Sequence, residues 1–192
     1  SDVYKRQYIF WTGSKSQVYR MEENLEIHTI SQVDVLKGRS LVNTDGLADI
    51  LLQHSEHRLH DDPADSLYED TFCPESPIID SIVEELKDNF KHATGASIKM
   101  IGKWSQIHEP NMSTNTHAHY PADVASVYYV SVPKGSGQIC FYPSYNQFNP
   151  QTVKFQPEQN MFLMFPAVLE HSVTRNLSND RRISLSFNFS LC

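Results

Sequence analysis

Hydrophobic positions follow two different rhythms on either side of Gly95. Ahead of it they recur at helical spacing. Ile78, Ile82 and Leu86, with Ile79, Val83 and Phe90, make one apolar stripe over about Pro77 to Ala93. Ser76 is placed to cap that helix, Pro77 suits its first position, and Gly95 can end it. A shorter helix is predicted further forward, where Thr44 or Asp45 can cap a turn carrying Leu47, Ile50 and Leu51 on one side. Beyond Gly95 the rhythm shortens towards alternation. Strands are predicted at Ser97 to Ile107, Thr114 to His119, Ala125 to Val132, Gly137 to Tyr142, Thr152 to Phe155, Asn160 to Phe165, His171 to Thr174 and Arg182 to Phe189. Pro110, Pro121, Pro143, Pro150, Pro157 and the runs Pro133 to Gly137 and Asn176 to Asp180 supply the turns between them.

Strands this short, with no helix between them, cannot make parallel crossovers, which need a dozen or more residues. They predict an antiparallel jelly roll, a mainly β domain whose N-terminal helices pack on one sheet. We therefore read residues 1–192 as one domain, with a helix-bearing front portion at 8–95 and a jelly-roll core at 96–192. The opening Ser-Asp-Val-Tyr-Lys-Arg-Gln resembles translated sequencing-adapter sequence, so residues 1–7 are expected to be non-native.

The composition narrows the function classes. With 192 residues and 40% apolar content the chain can bury a core, and a formal charge of −7 without clustered Lys or Arg argues against general nucleic-acid binding. Cys73, Cys140 and Cys192 are an odd number without a Cys-x-x-Cys pair, which disfavours a disulfide framework or a cysteine zinc site and suggests a reducing, cytoplasmic setting. No apolar run approaches the roughly 20 residues of a membrane helix, so no membrane association is expected. The Asn-x-Ser triplets at Asn111, Asn176 and Asn188 carry no weight without secretion.

Candidate chemistry gathers in the back half. In an extended strand, residues i and i+2 point to the same side, so His117 and His119 can reach one ion, with His171 as a third ligand from a distant strand. Arg182, Ser184, Ser186 and Asn188 share one face of the last strand, and Ile183, Leu185, Phe187 and Phe189 share the other. On a surface strand that polar face would simply meet water; beside three histidines it suggests a pocket with an anion anchor. His54, His57 and His60 are spaced along a helix face but lack apolar shelter and read as a solvated helix end. His28, His92 and His108 read as ordinary polar residues.

Trp104, Asn115-Thr-His-Ala-His119, Ser126-Val-Tyr-Tyr-Val130, Gly137, Phe165-Pro166, His171 and Arg182-Ile-Ser-Leu-Ser-Phe-Asn188 stand in an order and spacing that resembles the Fe(II)- and 2-oxoglutarate-dependent oxygenases, whose fold is a double-stranded β-helix, and especially the small bacterial and phage oxygenases of that superfamily. The resemblance covers about residues 99 to 190. It implies Fe(II), 2-oxoglutarate as cosubstrate and O2, with hydroxylation of a substrate and release of succinate and CO2. Carried over by position, His117 is the first metal ligand and His171 the distal one, while His119 stands where such enzymes usually have a carboxylate. Asp123 is the alternative to His119, or a partner for a ligand ring N–H. Three neutral imidazoles would leave the ion its full charge, and imidazole suits zinc, copper or nickel as well. Arg182 is expected to grip the far carboxylate of 2-oxoglutarate, Tyr129 to hydrogen-bond it, and Ser184, Ser186 and Asn188 to line the cosubstrate pocket. Arg181 and Tyr128 should face elsewhere, and Glu170 should point opposite to His171. Trp104 and Asn115 suit an entrance or a ligand-orienting role, and Phe141, Tyr142, Tyr145 and Phe148 either a substrate lip or an apolar seal. Two other readings stand beside this one: a jelly-roll binding or structural module with a filled interior, such as a phage or surface component, and a three-histidine cupin-type dioxygenase that does not use 2-oxoglutarate. The substrate, small-molecule or peptidyl, is not legible, and a homodimer is compatible with the sequence.

Overall fold

The apolar stripe of the front helix is buried against a sheet built by the back half. The computed structural model describes residues 19–22, 25–27, 33–54, 70–71, 73–144 and 151–192. In chain order the elements are β1 (Tyr19–Glu22), β2 (Leu25–Ile27), β3 (Leu36–Arg39), α1 (Leu47–His54), β4 (Asp70–Thr71), α2 (Pro77–Thr94), β5 (Ile98–His108), β6 (Thr114–His117), β7 (Val124–Ser131), β8 (Ile139–Ser144), β9 (Gln151–Phe155), β10 (Met161–Pro166), β11 (His171–Val173) and β12 (Arg182–Leu191). Residues 1–7, His28, His57, His60, Tyr145 and Phe148, on which expectations were placed, lie outside the described residues.

Helix α2 has the predicted ends. The Ser76 side chain accepts the Ile78 N–H at 3.3 Å, and Gly95, at φ 78°, sends its N–H back to Lys91 O. Ile79, Ile82, Val83, Leu86 and Phe90 are its buried face, with Ile78 partly buried at the margin. Helix α1 corrects the forward prediction. It starts at Leu47 after Gly46; Thr44 gives its hydroxyl to Asn160 Oδ1 and Asp45 is exposed, so neither caps the helix. Leu47 and Leu51 are buried while Ile50 is only partly so.

Two antiparallel sheets face each other. The larger has the order β3-β10-β7-β12-β5-β4 and the smaller β6-β11-β8-β9, with β1 and β2 forming a separate pair. The front portion is therefore more than helical, because β3 and β4 close the two edges of the larger sheet. Alternation along the central strands divides the core in two. Val124, Tyr128 and Val130 of β7, with Ile183, Leu185, Phe187 and Phe189 of β12, pack under the helices. Ala125, Val127 and Tyr129, with Leu163 and Phe165 of β10, turn towards the smaller sheet. The last strand thus presents its greasy side to α2 and its polar side to the space between the sheets. This is the expected jelly roll, with both helices on one face.

Leu86 is fully buried at the centre of the helix–sheet contact. Leu86→Ala should cost about 2–5 kcal/mol, as cavity-forming substitutions in packed cores do, read as a lowered urea midpoint with unchanged slope.

Candidate metal and anion site

Short strands of the smaller sheet bring the histidines together. His171 pairs directly with His117 across β11 and β6. Strand β6 ends at His117, two residues short of prediction, and beyond it His119 is tied down by its N–H, which donates to Ala167 O at 2.7 Å. One ligand nitrogen from each of His117, His119 and His171 lies within 4.8 Å of the others. His119 Nε2 and His171 Nε2 are 3.2 Å apart. Three imidazoles so gathered could hold one divalent transition-metal ion.

The rings are oriented from behind. His117 Nδ1 lies 2.9 Å from Asn115 O and His171 Nδ1 lies 3.0 Å from Leu169 O. Donation to a carbonyl puts the proton on Nδ1 and leaves Nε2 as the free lone pair, the tautomer a metal needs. Burial, with a smaller contribution from His117, pushes His119 down to about 4 and His171 down to about 3. Both imidazoles are neutral near pH 7. The donor set fits a divalent transition-metal ion.

Aromatic walls shield this cluster. Trp104 lies against His119 with ring centroids 5.5 Å apart, and Phe141 and Phe165 pack on His171 at 5.8 and 4.8 Å. Phe141 therefore belongs to the packing behind the third histidine and not to a lip; Tyr142 bonds Ser172 through its hydroxyl. Asn115 is exposed and serves His117 through its backbone carbonyl. Asp123, the alternative ligand, is turned away: its side chain is exposed and accepts the Leu191 N–H at 2.9 Å. It serves neither as a ligand nor as a partner of a ligand ring in this arrangement, because backbone carbonyls fill the second task.

From the metal cluster the space between the sheets runs to Arg182. This space, partly open to solvent, is lined by residues including Gln106, Val127, Tyr129, Ile139, Phe165, Arg182, Ser184 and Ser186 besides the three histidines. No Asp or Glu is among the lining residues. Asn188, expected alongside the serines, lies one step further along β12, opposite Gly102, with its Oδ1 buried and unpartnered. Arg182 is 1% exposed; Nη1 donates to Ser136 O at 2.9 Å and Nε has no partner among the described residues. Burial pushes it down to about 10, partly offset by Tyr129, so it remains a cation near neutral pH. No counter-ion stands against it among the described residues, and a buried charge so placed costs several kcal/mol that a bound anion would offset. Tyr129 is pushed up to about 12 by burial, against the pull of Arg182, and keeps its proton. Tyr128 faces the helix-side core, and Arg181 is a surface charge paired with Glu109.

Sequence reasoning passed over Gln106, His108 and Ser136. His108 is 6% exposed, stands opposite Arg182, and is held well below the ordinary imidazole range by burial and then by the Arg182 charge. The signal was available, since Trp104, Gln106 and His108 alternate along a strand antiparallel to β12. Ser136 matters through its carbonyl, which its side-chain type does not announce. Its neighbour Gly137 is at φ 94°, where a Cβ would meet Thr174 O at 2.3 Å.

The family model described as "Putative 2OG-Fe(II) oxygenase" matches residues 102–188, the stretch that contains every residue of this site. The fold is similar to that of a Pseudomonas putida prolyl-4-hydroxylase, with TM-score 0.60 and 14% identity over 81% of this chain and 92% of that one. SnoK, a non-heme α-ketoglutarate-dependent carbocyclase from nogalamycin biosynthesis, gives 0.63 and 12% over 81% and 78%. A prolyl hydroxylase from Trichoplax adhaerens, in complex with a hypoxia inducible factor peptide fragment, gives 0.60 and 15% over 81% and 83%. At such identities the likeness is one of fold. No curated protein matches the chain.

The depressed histidines have a measurable consequence. In the unfolded chain these imidazoles take up protons near pH 6.5, whereas native His119 and His171 resist until about 4 and 3. The unfolded state therefore binds more protons in that window, and stability falls as pH drops from 7 towards 4, by at most about 1.4 kcal/mol per pH unit per histidine. Melting temperatures of metal-free protein between pH 7.5 and 4.5 should show this fall, and His171→Gln should make it shallower; equal slopes would mean that the ring titrates normally.

Proposed function

We propose that this chain, whose residues 102–188 match the 2OG-Fe(II) oxygenase family model, hydroxylates an organic substrate, small-molecule or peptidyl, with His117, His119 and His171 as the iron ligands and Arg182 as the cosubstrate anchor. The observation that carries this reading is the buried Arg182, without a counter-ion among the described residues, facing the same space as three converging imidazoles. Bound there, Fe(II) with 2-oxoglutarate and O2 would supply the oxidation in which succinate and CO2 are released and one oxygen atom enters the substrate.

The chain's own residues have defined tasks in this scheme. Asn115 O and Leu169 O hold the Nδ1 protons of His117 and His171, so that both rings offer Nε2. Arg182 gives charge-assisted hydrogen bonds to the far carboxylate of the cosubstrate, and Ser184 and Ser186 offer hydroxyls along its length. Tyr129, which keeps its proton, donates its O–H to the same carboxylate. Val127, Ile139 and Phe165 are apolar walls that exclude water and strengthen each of these contacts. The three cysteines are unpaired, which suits a reducing cytoplasm where iron stays ferrous.

A buried guanidinium without a counter-ion among the described residues is a costly thing to keep in a structural module with a filled interior, and a three-histidine dioxygenase that ignores 2-oxoglutarate has no use for one. SnoK is named a carbocyclase and SnoN an epimerase, so hydroxylation is the outcome to be tested at product level. Anaerobic titration of the Fe(II)-loaded protein with 2-oxoglutarate should produce a weak metal-to-ligand charge-transfer band, and aerobic incubation should release succinate. Arg182→Ala should weaken 2-oxoglutarate binding by about tenfold to a hundredfold, the worth of one or two charge-assisted hydrogen bonds, while Fe(II) binding changes little. A folded, iron-loaded protein without the band would overturn the proposal.

A further inference from the structure

His108 of β5 stands directly opposite Arg182 of β12, and residues so paired point to the same side of a sheet. Both are more than nine-tenths buried. Each also carries one buried polar atom without a hydrogen-bond partner among the described residues: Nε of Arg182 and Nδ1 of His108. The guanidinium nitrogen can only donate, whereas an imidazole nitrogen accepts when the proton sits on the other one.

The remaining atoms of His108 are committed. Nε2 lies 2.7 Å from Thr114 Oγ1, and the backbone carbonyl accepts Asn176 Nδ2 at 2.9 Å. Burial and the neighbouring cation keep the ring neutral, so it carries a single N–H. If Nε2–H goes to the threonine hydroxyl, the Nδ1 lone pair is left for Arg182. Donor and acceptor are complementary, stand at facing register positions and are shut off from water, although they do not bond each other as the side chains lie without a ligand.

We propose that His108 is a positioning residue for Arg182: when a ligand carboxylate draws the guanidinium into place, His108 Nδ1 accepts the Nε–H, which with the Ser136 carbonyl on Nη1 fixes the guanidinium plane and leaves Nη2 to meet that carboxylate. This rests on the reading of Arg182 as the cosubstrate anchor. Thr114 opens β6, whose last residue is His117. The relay Arg182–His108–Thr114 then ties the anion anchor to the strand that carries a proposed metal ligand.

The test compares His108→Phe, His108→Asn and His108→Gln by anaerobic 2-oxoglutarate titration of the Fe(II)-loaded proteins. An Asn amide lies near the place of Nδ1 and a Gln amide near that of Nε2. The Phe variant should bind 2-oxoglutarate about tenfold or more weakly, as expected for a lost hydrogen bond to a charged group, with Fe(II) affinity within about twofold. Asn should restore most of the loss and Gln little. A Phe variant unchanged in 2-oxoglutarate affinity, or rescue by Gln equal to that by Asn, overturns the proposal; if the Phe variant does not fold, the Asn–Gln comparison decides. Nitrogen-15 shifts of the wild-type imidazole, assigned by their loss in the Asn variant, give an arm that needs no cosubstrate. An unprotonated Nδ1 supports the contact and a protonated one overturns it. Absence of 2-oxoglutarate binding in the wild type would sink the functional reading, while the nitrogen shifts would still decide the His108–Arg182 contact.

Discussion

His171 and His117 face each other across the pairing of β11 with β6, and the metal cluster depends on that register. The two strands are only three and four residues long, so they have little pairing of their own to hold them. Their position is borrowed. Strand β11 pairs on its other side with β8, whose Phe141 packs on Phe165 of the opposite sheet, and the chain after β6 is tied by the His119 N–H to Ala167. A shift of one residue would turn a histidine to the other face of the sheet. The aromatic packing behind His171 thus helps keep the three histidine nitrogens converged.

Electrostatics makes the site incomplete by itself. Its lining has neutral imidazoles and hydroxyls at one end and a guanidinium at the other, with no carboxylate between. A divalent ion adds positive charge to a region that already has an excess of it. Where the superfamily usually places a ligand carboxylate this chain has His119, so the compensating negative charge has to come from what binds. In the proposed complex a dianion that reaches from the ion to Arg182 would offset most of that charge, and metal and cosubstrate should each favour the arrival of the other.

Much of this was visible in the order of the residues. The caps of α2 and the alternation of β12 follow from local rules of spacing and dihedral preference that the surroundings do not overrule. What stayed hidden depended on partners distant in the chain. β3 reads Leu-Lys-Gly-Arg and β4 is Asp-Thr, and neither has a pattern of its own; each is a strand because a sheet edge was there to receive it. The Thr44 hydroxyl abandons α1 for Asn160, a residue more than a hundred positions later. His108 looked like an isolated polar residue because its meaning comes from its antiparallel partner, Arg182.

Gly137 is no part of the pocket lining, yet it sits beside the carbonyl that holds Arg182, in a conformation and a space that admit no side chain. Any replacement must push against the backbone around Thr174, moving the segment from which Ser136 reaches the guanidinium. A lesion there would leave every reactive group intact and still read out as an enzyme starved of its cosubstrate. In a screen for loss of activity, this turn would be scored with the catalytic machinery although it never touches a reacting atom.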